Sequence, residues 1–157
     1  MLGRSRKNKQ MDMFEVPMKK FIDTGHEFVR VENDIDWKAL EDQFEPYYSD
    51  KGRPGIPVRK IAGLQLLKER FNISDEKALD IWLENPYWQY FCGEVYFQKE
   101  KPFSAGEFSR FRKRVGKKGM GLITGVGEEH FGRLEDKTYM TYADRKKRGF
   151  WDRFFSR

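Results

Sequence analysis

One cysteine, Cys92, and two histidines, His26 and His130, are the only thiol and imidazole side chains in the 157 residues. A single thiol cannot close an intramolecular disulfide, and these three side chains fall short of the four ligands of a structural zinc site. A reducing cytosol is the setting that fits such a chain. No apolar run approaches the length of a membrane span, and the basic residues 1–10 are not followed by the apolar stretch of a secretory signal. The expectation is a soluble, cytoplasmic protein. Negative charge is also in the minority: 31 Lys and Arg against 25 Asp and Glu leave a formal net charge of +6. That balance favours an anionic partner, with nucleic acid first among them.

The length suits one domain with tails. Residues 1–11 are polar and positive without hydrophobic periodicity, and read as a flexible basic arm. A mostly apolar segment follows, with Met13, Phe14, Val16, Met18, Phe21 and Ile22. Asp36 is placed to cap a helix that carries Trp37, Leu40 and Phe44 on one side and stops at Pro46. The Pro- and Gly-rich run from Gly52 to Pro57 reads as a loop. From Val58 to Phe71 the apolar residues Ile61, Leu64, Leu67 and Phe71 keep helical spacing. Ser74 then caps a second helix with Asp75 and Glu76 in its first turn, where the helix dipole favours acids. Helix, short turn, helix is the outline of a helix-turn-helix unit and equally of an ordinary helical hairpin. The aromatic run from Asn85 to Gly93 reads as a short helix whose rings fill a core rather than stack on bases. The fold class expected is all-α: a small helical domain over 12–120 with a weakly structured tail over 121–157.

Ser104 and Glu107 have the spacing of a capping box, and the helix that starts there places Phe108, Phe111 and Val115 on one stripe. Arg110, Arg112, Lys113 and Arg114 spread over its other surfaces. This is either a solvated basic face over a core contact or a helix laid against DNA. On the second reading Ser109, Arg110, Arg112, Lys113 and Arg114, helped by Arg59 and Lys60, are the candidate DNA-binding residues. Either the helix over 74–84 or the one over 104–115 is a candidate to enter a groove. After Gly116 the glycines at 119, 121, 125 and 127 interrupt the helical pattern. Near the C-terminus Phe150, Trp151, Phe154 and Phe155 share a helical face beside Arg145, Lys146, Lys147, Arg148 and Arg153. The tail's alternative role is thus a protein- or membrane-surface contact. The tail acids Glu128, Glu129, Glu135, Asp136, Asp144 and Asp152 alternate with cations and show no metal-ligand spacing.

In order along the chain stand Gly52-Arg-Pro, Leu66-Leu-Lys-Glu-Arg70, Ile73-Ser-Asp-Glu76, Glu84-Asn-Pro-Tyr-Trp-Gln-Tyr-Phe-Cys-Gly93 and Phe108-Ser-Arg-Phe-Arg-Lys-Arg114. Together these segments resemble the N-terminal domain of the InsH-like bacterial insertion-sequence transposases, over residues 12–120. The resemblance implies a helical domain that recognises terminal inverted repeats in double-stranded DNA. It implies a following catalytic domain of ribonuclease-H type, whose two aspartates and one glutamate hold Mg²⁺ for phosphodiester chemistry. Nothing past 120 matches that second domain, which needs on the order of a hundred residues. A truncated transposase without catalytic residues, metal or cofactor in this chain is therefore expected. Its protein partners would be a second copy or an intact transposase.

Overall fold

The computed structural model describes residues 3, 16–49 and 55–131; the rest of the N-terminal arm, the first half of the Gly52–Pro57 loop and the aromatic tail from 145 lie outside the described residues. Among the described residues there are six α-helices, two 3₁₀ turns and no strand beyond isolated bridges. The helices are α1 Glu27–Asp34, α2 Trp37–Phe44, α3 Val58–Phe71, α4 Asp75–Glu84, α5 Pro86–Phe91 and α6 Gly106–Phe131. The all-α expectation is met.

Local chemistry sets nearly every boundary. The Asp36 carboxylate accepts from the Ala39 N–H at 2.9 Å, and α2 gives way at Phe44 to the 3₁₀ turn Glu45–Tyr47, which contains Pro46. α3 ends at Asn72, whose φ of +48° is the left-handed cap that Asn tolerates. Ser74 Oγ accepts from the Lys77 N–H at 3.2 Å to open α4. Asn85 Oδ1 accepts from both Tyr87 and Trp88 N–H groups to open α5, with Pro86 in its first turn. α1 is not legible in the sequence; its cap is the uncommon one, His26 Nδ1 accepting from the Phe28 N–H at 3.2 Å.

α3 is the axis of the domain. None of its residues is exposed, and α2, α4, α5 and α6 all pack on it. Phe28 of α1 makes edge contacts with Phe71, Phe91 and Phe131, so one aromatic cluster ties α1, α3, α5 and the end of α6 together. Trp88 and Phe91 are fully buried, in keeping with a core role for the aromatic run. The buried Gln89 is satisfied on both sides: its amide donates to the carbonyls of Trp82 and Gln98 at 3.0 Å, and its oxygen accepts from the Gln98 N–H at 2.6 Å. It pins the loop after α5 to the end of α4, since leaving those groups unpaired in the interior is costly.

The weakening expected after Gly116 is not what the chain does. Gly116 adopts φ +60° and ψ −168°, a region essentially reserved to glycine, and divides α6 into arms over 106–115 and 117–131. The second arm belongs to the domain. Ile123 is fully buried, and the Thr124 hydroxyl donates to Glu69 at 3.2 Å. The Arg70 guanidinium, 4% exposed, donates to Glu27 and to the Phe131 carbonyl, and lies 4.5 Å from the Phe131 ring centroid. A boundary at 120 therefore falls inside a packed helix.

Candidate nucleic-acid interface

Helix periodicity decides what the first arm of α6 shows to solvent. Phe108, Phe111 and Val115 are buried against the core, with Phe111 5.8 Å from Phe44, and this anchors the arm in one rotation. Ser109, Arg110, Lys113 and Arg114 are left exposed. The side chain of Arg110 remains 65% exposed while it bonds Glu107 one turn back. The Arg114 guanidinium sits 4.8 Å over the ring of Tyr48, which steadies it without neutralising it. Burial pushes the Tyr48 hydroxyl above its usual range, so that ring stays neutral. At the start of the arm the Ser104 carbonyl accepts from the Glu107 N–H at 3.0 Å. The Glu107 carboxylate turns forward to Arg110 rather than back to Ser104.

Three of the residues predicted from the sequence as DNA contacts, Arg59, Lys60 and Arg112, are engaged in ion pairs inside the domain. Arg59 pairs with Glu32 and lies 5.0 Å from the Trp37 ring. Lys60 pairs with Glu94. Arg112 makes a bidentate bridge to Asp75, at 2.9 and 2.7 Å, and also reaches Gln65. Asp75 in turn accepts Lys68 at 3.5 Å, so it links α3, α4 and α6 at one point. A guanidinium committed to a carboxylate must give up that partner before it can meet a phosphate. Sequence spacing places Arg112 beside the exposed cations of this arm and cannot reveal that it faces Asp75, thirty-seven positions away. Lys117 and Lys118, just past the kink, are exposed cations that the sequence pattern does not single out, because Gly116 looks like a helix end.

The Arg112 hydrogen bonds, outweighing partial burial, hold the Asp75 carboxyl below the usual carboxylate range, and the same pair raises the Arg112 guanidinium. A depressed folded-state value means that the contribution to stability is complete above the ordinary carboxylate pKa. It is lost as pH falls from there through the folded-state value. The melting temperature of the wild type should exceed that of Asp75→Asn at pH 7, and the gap should narrow toward pH 3. Arg112→Ala should cost about 1–2 kcal/mol at neutral pH, because Asp75 keeps Lys68 and part of its solvent.

The geometry also separates the two candidate helices. On α4 the exposed residues are Glu76, Asp80 and Glu84, one turn apart from each other, with Lys101 reaching Asp80 at 2.6 Å. A row of carboxylates repels a phosphate backbone, whereas the outer face of 106–115 carries three cations and a hydroxyl. Of the tail acids, Glu128 and Glu129 are exposed on the second arm, and the others lie outside the described residues. Among the described residues no group of three His, Cys, Asp or Glu is placed to hold a metal ion, and no helix is long and apolar enough to cross a membrane. Burial pushes the Cys92 thiol far above its usual range, which leaves it unreactive.

A Rhizobium meliloti protein described as "Uncharacterized protein ORF8 in nfe locus" is 37% identical over 109 residues. The alignment covers 69% of this chain and 53% of the relative, so the chain spans about half the length of the curated relative it matches. No solved structure matches. The family model described as "Transposase domain (DUF772)" matches residues 16–114, from the start of the continuously described fold to the last cation of the first arm. The chain belongs to the DUF772 transposase domain family.

Proposed function

We propose that this domain serves transposition by binding double-stranded DNA at the terminal inverted repeats of an insertion sequence of the InsH-like group. The observation that carries this reading is the outer face of residues 106–115, where Arg110, Lys113 and Arg114 stand exposed on a helix whose opposite face is locked into the core. Lys113 and Arg114 supply phosphate contacts that fix the helix on the duplex. Ser109 and Arg110, nearer the helix start, are the side chains offered to base edges. On contact, Arg110 exchanges the Glu107 carboxylate for a phosphate or a guanine edge at little cost, since the pair is solvated. α4 lies behind this surface in function, positioning α6 through Asp75 rather than entering a groove. The domain so read holds DNA; cutting and joining are not assigned to any of its residues.

A fluorescence-anisotropy titration tests the reading, using the full chain against a terminal-repeat duplex from a related element and a scrambled duplex, each at two salt concentrations. Tighter binding to the repeat at both salts is the expected result. Equal, weak binding that salt abolishes would mean generic phosphate attraction and would overturn end recognition.

A further inference from the structure

The second arm of α6 has an outer face that the DNA reading does not use. Gly119, Ile123 and Gly127 are buried, and Thr124 is tied to Glu69, which fixes the rotation of the arm. Lys117, Lys118, Gly121, Gly125, Glu128 and Glu129 are the residues left exposed. At about 100° per residue these six fall within roughly one third of the helix circumference. Their order is symmetric in position and opposite in charge: two lysines, a bare glycine at 121, a bare glycine at 125, two glutamates, all centred on residue 123. A Cβ built on Gly121 or Gly125 meets nothing within 4 Å. Packing among the described residues therefore gives no reason for glycines that weaken a helix relative to alanine.

We propose that this face is a contact for a second copy of this chain, packed antiparallel about a two-fold axis at the level of residue 123. An isologous interface requires that residue i meets residue j while j meets i. Every element of the pattern obeys this: Lys117 faces Glu129 of the second copy, Lys118 faces Glu128, Gly121 faces Gly125, and each contact occurs twice. A parallel, in-register arrangement sets lysine on lysine and glutamate on glutamate. The charge pattern thus selects both the partner and its direction, and the glycines remove the side chains that would hold two backbones apart. One helix face a side is a small area, so the dimer is weak, concentration-dependent and salt-sensitive.

Sedimentation equilibrium of the full chain, without DNA, over two decades of concentration at low salt tests the proposal independently of the DNA reading. A monomer–dimer equilibrium is expected for the wild type. Lys117→Glu with Lys118→Glu makes the face wholly acidic, and Glu128→Lys with Glu129→Lys makes it wholly basic; each should weaken self-association at least tenfold. An equimolar mixture of the two variants should recover the wild-type dimer, because every contact is again between opposite charges. Gly121→Gln with Gly125→Gln keeps all charges and should also abolish the dimer, while circular-dichroism melts check that each variant is folded. A wild type that stays monomeric throughout, charge variants that associate like the wild type, or a mixture that fails to recover association would each overturn the proposal.

Discussion

Replacing Arg110, Lys113 and Arg114 together by alanine is expected to lower the slope of log K against log salt by about 2.7, which is roughly 0.9 for each phosphate that is no longer neutralised. Between 50 and 200 mM salt the wild type would then weaken about 40-fold more than the triple variant. All three side chains are exposed, and Phe108, Phe111 and Val115 hold the helix from the other side, so the fold should survive the change. Arg112→Ala is the internal control. It lies between two of the replaced residues, yet its guanidinium is committed to Asp75. It should reduce the melting temperature and leave the salt slope where it was. The opposite result, with a slope that moves for Arg112 and stays for the triple variant, would remove the outer face of 106–115 from the interface. Discrimination between repeat and scrambled duplexes should fall mainly with Arg110, since a phosphate contact positions the helix and a base-edge contact specifies the sequence.

The features legible in the sequence follow local chemistry. α3 is predictable to the residue because its apolar spacing, the prolines before it and Asn72 after it all act within a few positions. Ser74 and Asn85 announce α4 and α5 in the same way. α1 escapes such a reading because its cap is a histidine and its sequence carries Glu, Arg, Asn and Asp among the buried Phe28, Val29 and Val31. The candidate surface is half legible. Periodicity separates an inward stripe from an outward one, and this correctly sets Arg110, Lys113 and Arg114 apart from Phe108 and Phe111. It cannot show which cation meets a carboxylate from a distant segment, as Arg59, Lys60 and Arg112 do. Charge pairing of that kind is a property of the packed fold.

The second arm of α6 is where local propensity and tertiary packing disagree most, and its glycines should respond in opposite directions. In a regular helix the Cβ atoms of residues four apart lie about 5–6 Å from each other. The kink at Gly116 brings a Cβ on Gly119 to 2.4 Å from Val115 Cβ and 3.3 Å from Phe44. Gly119→Ala should therefore cost about 3 kcal/mol, since neither neighbour is a flexible side-chain end that can move away. Gly116→Ala meets no atom within 4 Å, so its cost, about 1–3 kcal/mol, is that of the positive-φ backbone alone. Gly121→Ala and Gly125→Ala, helical and unobstructed, should each stabilise the monomer by about 0.5–1 kcal/mol. Urea denaturation at low protein concentration gives the ranking directly from the midpoints at constant slope. A Gly119→Ala variant as stable as the wild type would refute the close approach. The double variant at 116 and 119 carries the sharper content. If the kink is what crowds Gly119, an alanine at 116 that straightens the helix also relieves the clash at 119, and the two costs should add to less than their sum.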